Sequence, residues 1–235
     1  MENYRSYFQR CSGELMSLEI AYFFDLADWP YPELFPPNTP PWVALTRIEP
    51  FLKKIPLGKI LGDVSPHAYL VNPHLISIGE GSVVEPGAYI QGPCLIGNNC
   101  TIRHGAYVRG NLITGNGCVI GHGTEVKNSL FLHDVHAAHF AYLGDTLLGS
   151  HVNLGAGTKC ANLRLDRQEI AIFYDGQRIP TGLRKLGAIL GDYAQTGCNS
   201  VTNPGTLMGK NSCSYPCTNF GGFISSNSVV KGFIG

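Results

Sequence analysis

The stretch Ile78-Gly79-Glu80-Gly81-Ser82-Val83-Val84-Glu85-Pro86-Gly87-Ala88-Tyr89-Ile90 places an aliphatic residue at every sixth position, and Ile96, Ile102 and Val108 continue the series without a break. Thr114 is an imperfect member, after which Ile120, Val126 and Leu132 resume it. Glycine follows four of these positions, at Gly79, Gly97, Gly115 and Gly121. A helix would repeat every 3.6 residues and an ordinary strand every 2. A sustained period of six with glycines fits a short strand and a tight corner, repeated. Such a unit cannot cover its own apolar side, so the units must stack. Three sides of six residues close a triangular coil, and the expected fold is an all-β parallel β-helix. A β-sandwich would space its strands about 8–12 residues apart, and less regularly.

Residues eighteen apart then lie above one another on neighbouring coils, about 4.8 Å apart. This ruler stacks His104 under His122, Cys100 under Cys118 and Arg109 under Lys127. The register reads as continuous from residue 78 to 132, with a slip near 138–143 before Leu148, Leu154 and Cys160 take up a new phase. A second block runs through Leu190, Thr196, Thr202 and Met208. Between Asn162 and Gly191 the repeat stops. Alternation from Glu169 to Ile179 around Asp175-Gly176 predicts a β-hairpin leaving the coil, an excursion over residues 164–184.

Residues 1–58 read as a separate, small helical and proline-rich segment before a β-helix domain at 59–235. Thr39 is placed to cap a helix opening on Pro40-Pro41-Trp42. Leu45, Ile48 and Leu52 share one face of that helix, and Pro50 kinks it. Leu18 to Trp29 predicts a second helix, and Pro30, Pro32, Pro36 and Pro37 an extended connection. The segment lacks a strand followed by a glycine-rich phosphate loop.

The chain has 235 residues, a formal net charge of +0 and 14% charged residues. Neutrality argues against nucleic-acid and membrane-surface partners, both of which favour a basic excess. No apolar run approaches the roughly 20 residues needed to cross a bilayer, and the first residues carry no secretory pattern. Eight cysteines in that setting read as reduced thiols of a cytoplasmic protein.

The hexapeptide repeats resemble those of the left-handed β-helix acyltransferases. Within that group, His139-Phe140-Ala141-Tyr142-Leu143-Gly144-Asp145 with Val152-Asn153-Leu154-Gly155-Ala156-Gly157-Thr158 is distinctive. It resembles the acetyltransferase half of bacterial glucosamine-1-phosphate acetyltransferase/uridyltransferase. Ala161-Asn162-Leu163-Arg164-Leu165 and Thr181-Gly182-Leu183-Arg184-Lys185-Leu186-Gly187-Ala188 are similar to its archaeal relatives. The resemblance covers about residues 60–210 and lacks the nucleotidyltransferase half. It implies left-handed coils and a homotrimer with sites in grooves between subunits. It also implies an acetyl-CoA-dependent N-acetyltransferase of an amino-sugar phosphate, with glucosamine 1-phosphate the best single match. His139 would be the base, and Asn162 would position the amine or thioester. The Ala156 amide would face the oxyanion, with Ala156 and Cys198 along the CoA path. Tyr142, Asn153 and Lys185 would hold the sugar, and Arg109 and Lys127 its phosphate. The last coils, with Asn199, Asn203, Pro204, Tyr215 and Pro216, depart from the pattern where CoA would bind.

The residues make chemical sense on their own. Acyl transfer to an amine needs a base that titrates near neutrality, the natural task of histidine. The tetrahedral intermediate needs a donor such as a glycine-flanked amide. Arg109 and Lys127 each follow an inward residue, so both point outward on adjacent coils, a repulsion that an intervening phosphate relieves. The competing readings are an acyltransferase of another amino sugar or sugar nucleotide, a non-catalytic β-helix scaffold or partner subunit, and a metal-dependent β-helix carbonic anhydrase. No histidine pair at five-residue spacing supports the last. His133, His136 and His139, at three-residue steps, alternate faces and cannot share a metal. His104 over His122 supplies two ligands where a structural zinc takes four. No metal is expected.

Overall fold

The computed structural model describes residues 18–232. The chain winds into a left-handed, three-sided β-helix whose walls are parallel sheets of nine, eight and eight strands. The first face runs from Asp63–Val64 to Val229–Val230, the second from Tyr69–Val71 to Asn219–Phe220, and the third from Ile76–Ile78 to Phe223–Ile224. Ile78, Val84, Ile90, Ile96, Ile102 and Val108 all point inward and are buried. Alternation sends each flanking residue outward.

The register departs from the expected one. Leu112 pairs with Ser129 and Ile113 with Leu130, a spacing of 17 rather than 18. Phe131 therefore enters the core, and Leu132 joins an outer cluster. The continuous stretch ends at Val126. A second 17-residue coil follows, with Leu130 paired to Leu147. Both slips fall at the corner between the second and third faces, around Asn128 and Asp145, and not at 138–143. The cause is visible in the backbone. Gly110 (φ 88°) and Asn111 (φ 51°) turn the earlier corner with two left-handed residues, whereas Asn128 (φ 43°) and Asp145 (φ 52°) each turn theirs alone. Leu148, Leu154 and Cys160 do take the inward positions of the new phase.

The outward ladder of the third face is apolar: Leu95, Ile113, Leu130, Leu147, Ile189, Leu207 and Phe223 stack in register. The N-terminal segment covers it with Phe23, Phe24, Trp29, Phe35, Trp42 and Phe51, and the excursion adds Ile170, Ile172 and Ile179. This face is thus a second core. Leu130→Ala removes a fully buried side chain from it. The expected cost is about 2–5 kcal/mol, read from the urea midpoint at unchanged m-value.

The helices are shorter than expected. Within the Leu18–Trp29 stretch the α-helix is confined to Ile20–Phe23. Pro41–Arg47 forms a 3₁₀ turn that leads into the α-helix Ile48–Leu52, with Pro50 inside the latter. Thr39 caps neither, because its hydroxyl donates back to the Pro36 carbonyl. The excursion is an antiparallel hairpin of Ile170–Tyr174 and Gln177–Leu183. Asp175 (φ 48°) and Gly176 (φ 69°) make its turn, as an Asp-Gly pair does in a type I′ hairpin.

Candidate functional site

The corner between the first and second faces carries one residue per coil in a column: His104, His122, His139, Ala156, Cys198. His122 and His139 are register partners, as are the strands that flank the later rungs. His104 and His122 stack with parallel rings 5.5 Å apart. Each is tied down, His104 Nδ1 to the Pro86 carbonyl at 2.8 Å and His122 Nδ1 to the His104 carbonyl at 2.9 Å. All three side chains are exposed, but His139 differs in that no hydrogen bond to the described chain holds its ring. One rung on, no group of the described chain accepts the Ala156 N–H, while the Ala156 carbonyl accepts from Asn199. Cys198 is exposed at the next rung, in contrast to the core thiols. Burial pushes Cys94 up to about 12 and Cys160 to about 11, which leaves them neutral filler.

A polar group gathers at the other edge of the second face. Asp145 is buried and accepts from Lys127 Nζ at 2.8 Å, Asn128 Nδ2 at 2.8 Å and Asn162 Nδ2 at 2.5 Å. The space beside Gly144 is filled by the Tyr142 hydroxyl and the Asn162 amide, as a Cβ built there would meet them at 2.8 and 2.6 Å. A cleft of about 230 Å³ opens over Asn128 and Asp145, walled by Leu45 and Thr46 of the N-terminal segment and by Leu183 and Lys185 of the excursion. Arg109 lies one coil before Lys127 and pairs with Glu125 at 2.6 Å. That hydrogen bond holds the guanidinium above its usual range.

Lys127, Asn162, Tyr142 and Lys185 therefore converge on one edge. His139, Ala156 and Cys198 line the opposite edge of the same face. Asn153 stands apart, outward on the first face between His136 and Gln195. Two carboxylates were missed: Arg109 and Lys127 face Glu125 and Asp145, not an empty gap between cations. The signal was present for Glu125, which shares the outward side of one strand with Lys127. It was present for Asp145 too, which lies eighteen residues after Lys127, although the shortened corner pairs Lys127 with Gly144 and leaves Asp145 in the corner beside it. Phe140 was also overlooked. Of the three closely spaced histidines, His133 turns the corner before the first face, with Nδ1 accepting from Asn116, and His136 lies on that face. Among the described residues no three metal-ligating side chains gather, and no helix is long and apolar enough to cross a membrane.

The fold and the two polar edges define a hexapeptide-repeat β-helix with chemistry on its corners. The match to the GMPPB C-terminal domain over residues 90–214, more than half of the chain, places it within that family. A bifunctional sugar-1-phosphate nucleotidylyltransferase/acetyltransferase of Sulfurisphaera tokodaii is 44% identical over 78 residues, covering 33% of this chain and 20% of the relative. The bifunctional protein GlmU of Methanococcus maripaludis is 37% identical over 172 residues, or 73% of this chain and 41% of the relative. The chain thus spans at most about two fifths of these relatives. Among solved structures, the UDP-N-acetylglucosamine acyltransferase of Francisella novicida aligns with a TM-score of 0.40 and 16% identity over 68% of this chain and 62% of that one.

Proposed function

We propose that the chain is an acetyl-CoA-dependent N-acetyltransferase of an amino-sugar 1-phosphate, with glucosamine 1-phosphate as the leading acceptor. The observation that carries this reading is the corner column, where an untethered imidazole at His139 is followed by a free amide at Ala156. The relative named a bifunctional sugar-1-phosphate nucleotidylyltransferase/acetyltransferase supports it.

In this reading His139 Nε2 takes a proton from the acceptor ammonium. The freed amine attacks the thioester carbon, and the developing oxyanion meets the Ala156 N–H. As the intermediate collapses, the C–S bond breaks, the imidazolium returns its proton to the departing CoA thiolate, and the attacking nitrogen sheds its second proton to water, leaving the neutral amide. Tyr142, Asn162, Lys127 and Lys185 hold the sugar phosphate, with Asp145 fixing two of them. No covalent enzyme intermediate and no metal enter this scheme.

Asn153 lies on a different face from Tyr142 and Lys127, so the groove is proposed to form between copies of a homotrimer. Light scattering that found a monomer at micromolar concentration would count against a shared groove. The direct test is thiol release from acetyl-CoA with a panel of amino sugars and their 1-phosphates. Turnover only with a phosphorylated amino sugar supports the proposal, and no release with any acceptor refutes it.

Lys127→Ala tests the phosphate contact. Affinity for glucosamine 1-phosphate is expected to weaken by roughly 1.5–3 kcal/mol, the range of a charge-assisted hydrogen bond. Unphosphorylated glucosamine and acetyl-CoA should bind as before. Calorimetric titration of all three ligands reads this, and equal weakening of both sugars would remove Lys127 from the phosphate.

A further inference from the structure

The third histidine of the corner column stands free because another residue occupies its place. Gly87, Gly105 and Gly123 are the glycines of successive corners, all with positive φ. A Cβ on Gly87 would lie 2.8 Å from His104 Nδ1, and one on Gly105 would lie 2.8 Å from His122 Nδ1. Each of these histidines thus folds back over the glycine of the preceding coil. There its Nδ1 bonds a backbone carbonyl. A carbonyl only accepts, so Nδ1 carries the proton and the tautomer is fixed.

By this pattern His139 should lie over Gly123 and bond the His122 carbonyl. Phe140 takes both. A Cβ on Gly123 would sit 2.7 Å from Phe140 Cδ1, and the Phe140 N–H donates to the His122 carbonyl at 2.8 Å. The ring meets His122 edge-on at 5.2 Å yet remains 56% exposed. Phe140 does so in the left-handed region, with φ 53°, at a position that is glycine one coil before (Gly123) and one coil after (Gly157). A bulky residue held there carries strain, and such strain concentrates where function needs it.

We propose that Phe140 is a positioning residue that keeps the His139 imidazole out of the structural place its two predecessors occupy, leaving it free to exchange protons with substrate. The proposal rests on the reading of His139 as the base. Glycine at this position would vacate the place over Gly123. The His139 ring would then settle there, with Nδ1–H on the second lone pair of the His122 carbonyl, whose first stays with the N–H of residue 140.

The test is Phe140→Gly beside Phe140→Leu, each as the full chain. Imidazole nitrogen NMR of Phe140→Gly is expected to show His139 locked as the Nδ1–H tautomer. Turnover should fall at least tenfold with the KM for acetyl-CoA unchanged, and the melting temperature should not drop. Leucine still fills the place and should restore turnover to within a few-fold of wild type. Unchanged His139 nitrogen resonances in Phe140→Gly would overturn the proposal, as would Phe140→Leu behaving like Phe140→Gly. If the wild type acetylates nothing, the assignment of His139 as base fails, while the NMR comparison still decides whether Phe140 displaces the ring.

Discussion

His139→Ala is expected to lower turnover on the order of 10²–10⁴-fold with the fold intact, the usual effect of removing a general base. The side chain is exposed and holds nothing in place, so its loss creates no cavity. The strand pairing of His139 with His122 runs through the backbone and survives the change. The informative control is His122→Ala, a neighbour of the same chemistry whose ring is tied to the His104 carbonyl. It should leave turnover within about twofold of wild type, since a tethered Nδ1 makes it structural. The two variants separate catalysis from a general effect of corner histidines. Wild-type turnover in His139→Ala, with acetyl-CoA and glucosamine 1-phosphate both saturating, would remove His139 from the chemistry.

The period of six was enough to place the core, because inward residues are selected by burial and every second outward one is not. It placed Ile78 through Val126 correctly and then lost one residue. Coil length is set at the corners, and Asn128 and Asp145, which turn the two shortened ones, look like ordinary turn residues in the sequence. The covered third face also left a mark that a six-residue period alone overlooks. Leu95-Ile96, Leu130-Phe131, Leu147-Leu148, Ile189-Leu190 and Leu207-Met208 are apolar doublets, which a strand buried on both sides requires. They explain why an irregular, aromatic-rich N-terminal segment accompanies the repeats. The sequence motifs led to His139, Tyr142, Asn153 and Asn162, but their arrangement on two edges and two faces depends on register. The role of Phe140 needed the third dimension. Its signal, a phenylalanine where neighbouring coils have glycine, is meaningful only once those coils are stacked.

Asp145→Ala is expected to destabilise the chain by about 3–5 kcal/mol, the cost of breaking a buried ion pair by removing one partner. Asp145 has 8% of its side chain exposed and Lys127 19%, so the ammonium left behind is only partly able to turn to water. The Asn128 and Asn162 amides lose the same acceptor, and Asn162 is itself buried. The lower end of the range is favoured by the freedom of the lysine stem, the upper end by the two amides. Backbone strain has to be separated from this, because Asp145 adopts φ 52°. Asp145→Gly removes the same carboxylate but relieves the left-handed conformation, which costs an L-residue roughly 1–2 kcal/mol. It should therefore be less destabilising than Asp145→Ala by about that amount. Asp145→Asn keeps one acceptor oxygen and tolerates the backbone, and should fall nearer 1–3 kcal/mol. Denaturant midpoints at constant m-value measure all three. The predicted order of loss is alanine, then glycine, then asparagine. Near-equal stability of Asp145→Ala and wild type would mean that the carboxylate's attraction for Lys127 merely offsets its own desolvation. The network would then be kept for the cleft it floors and not for the fold.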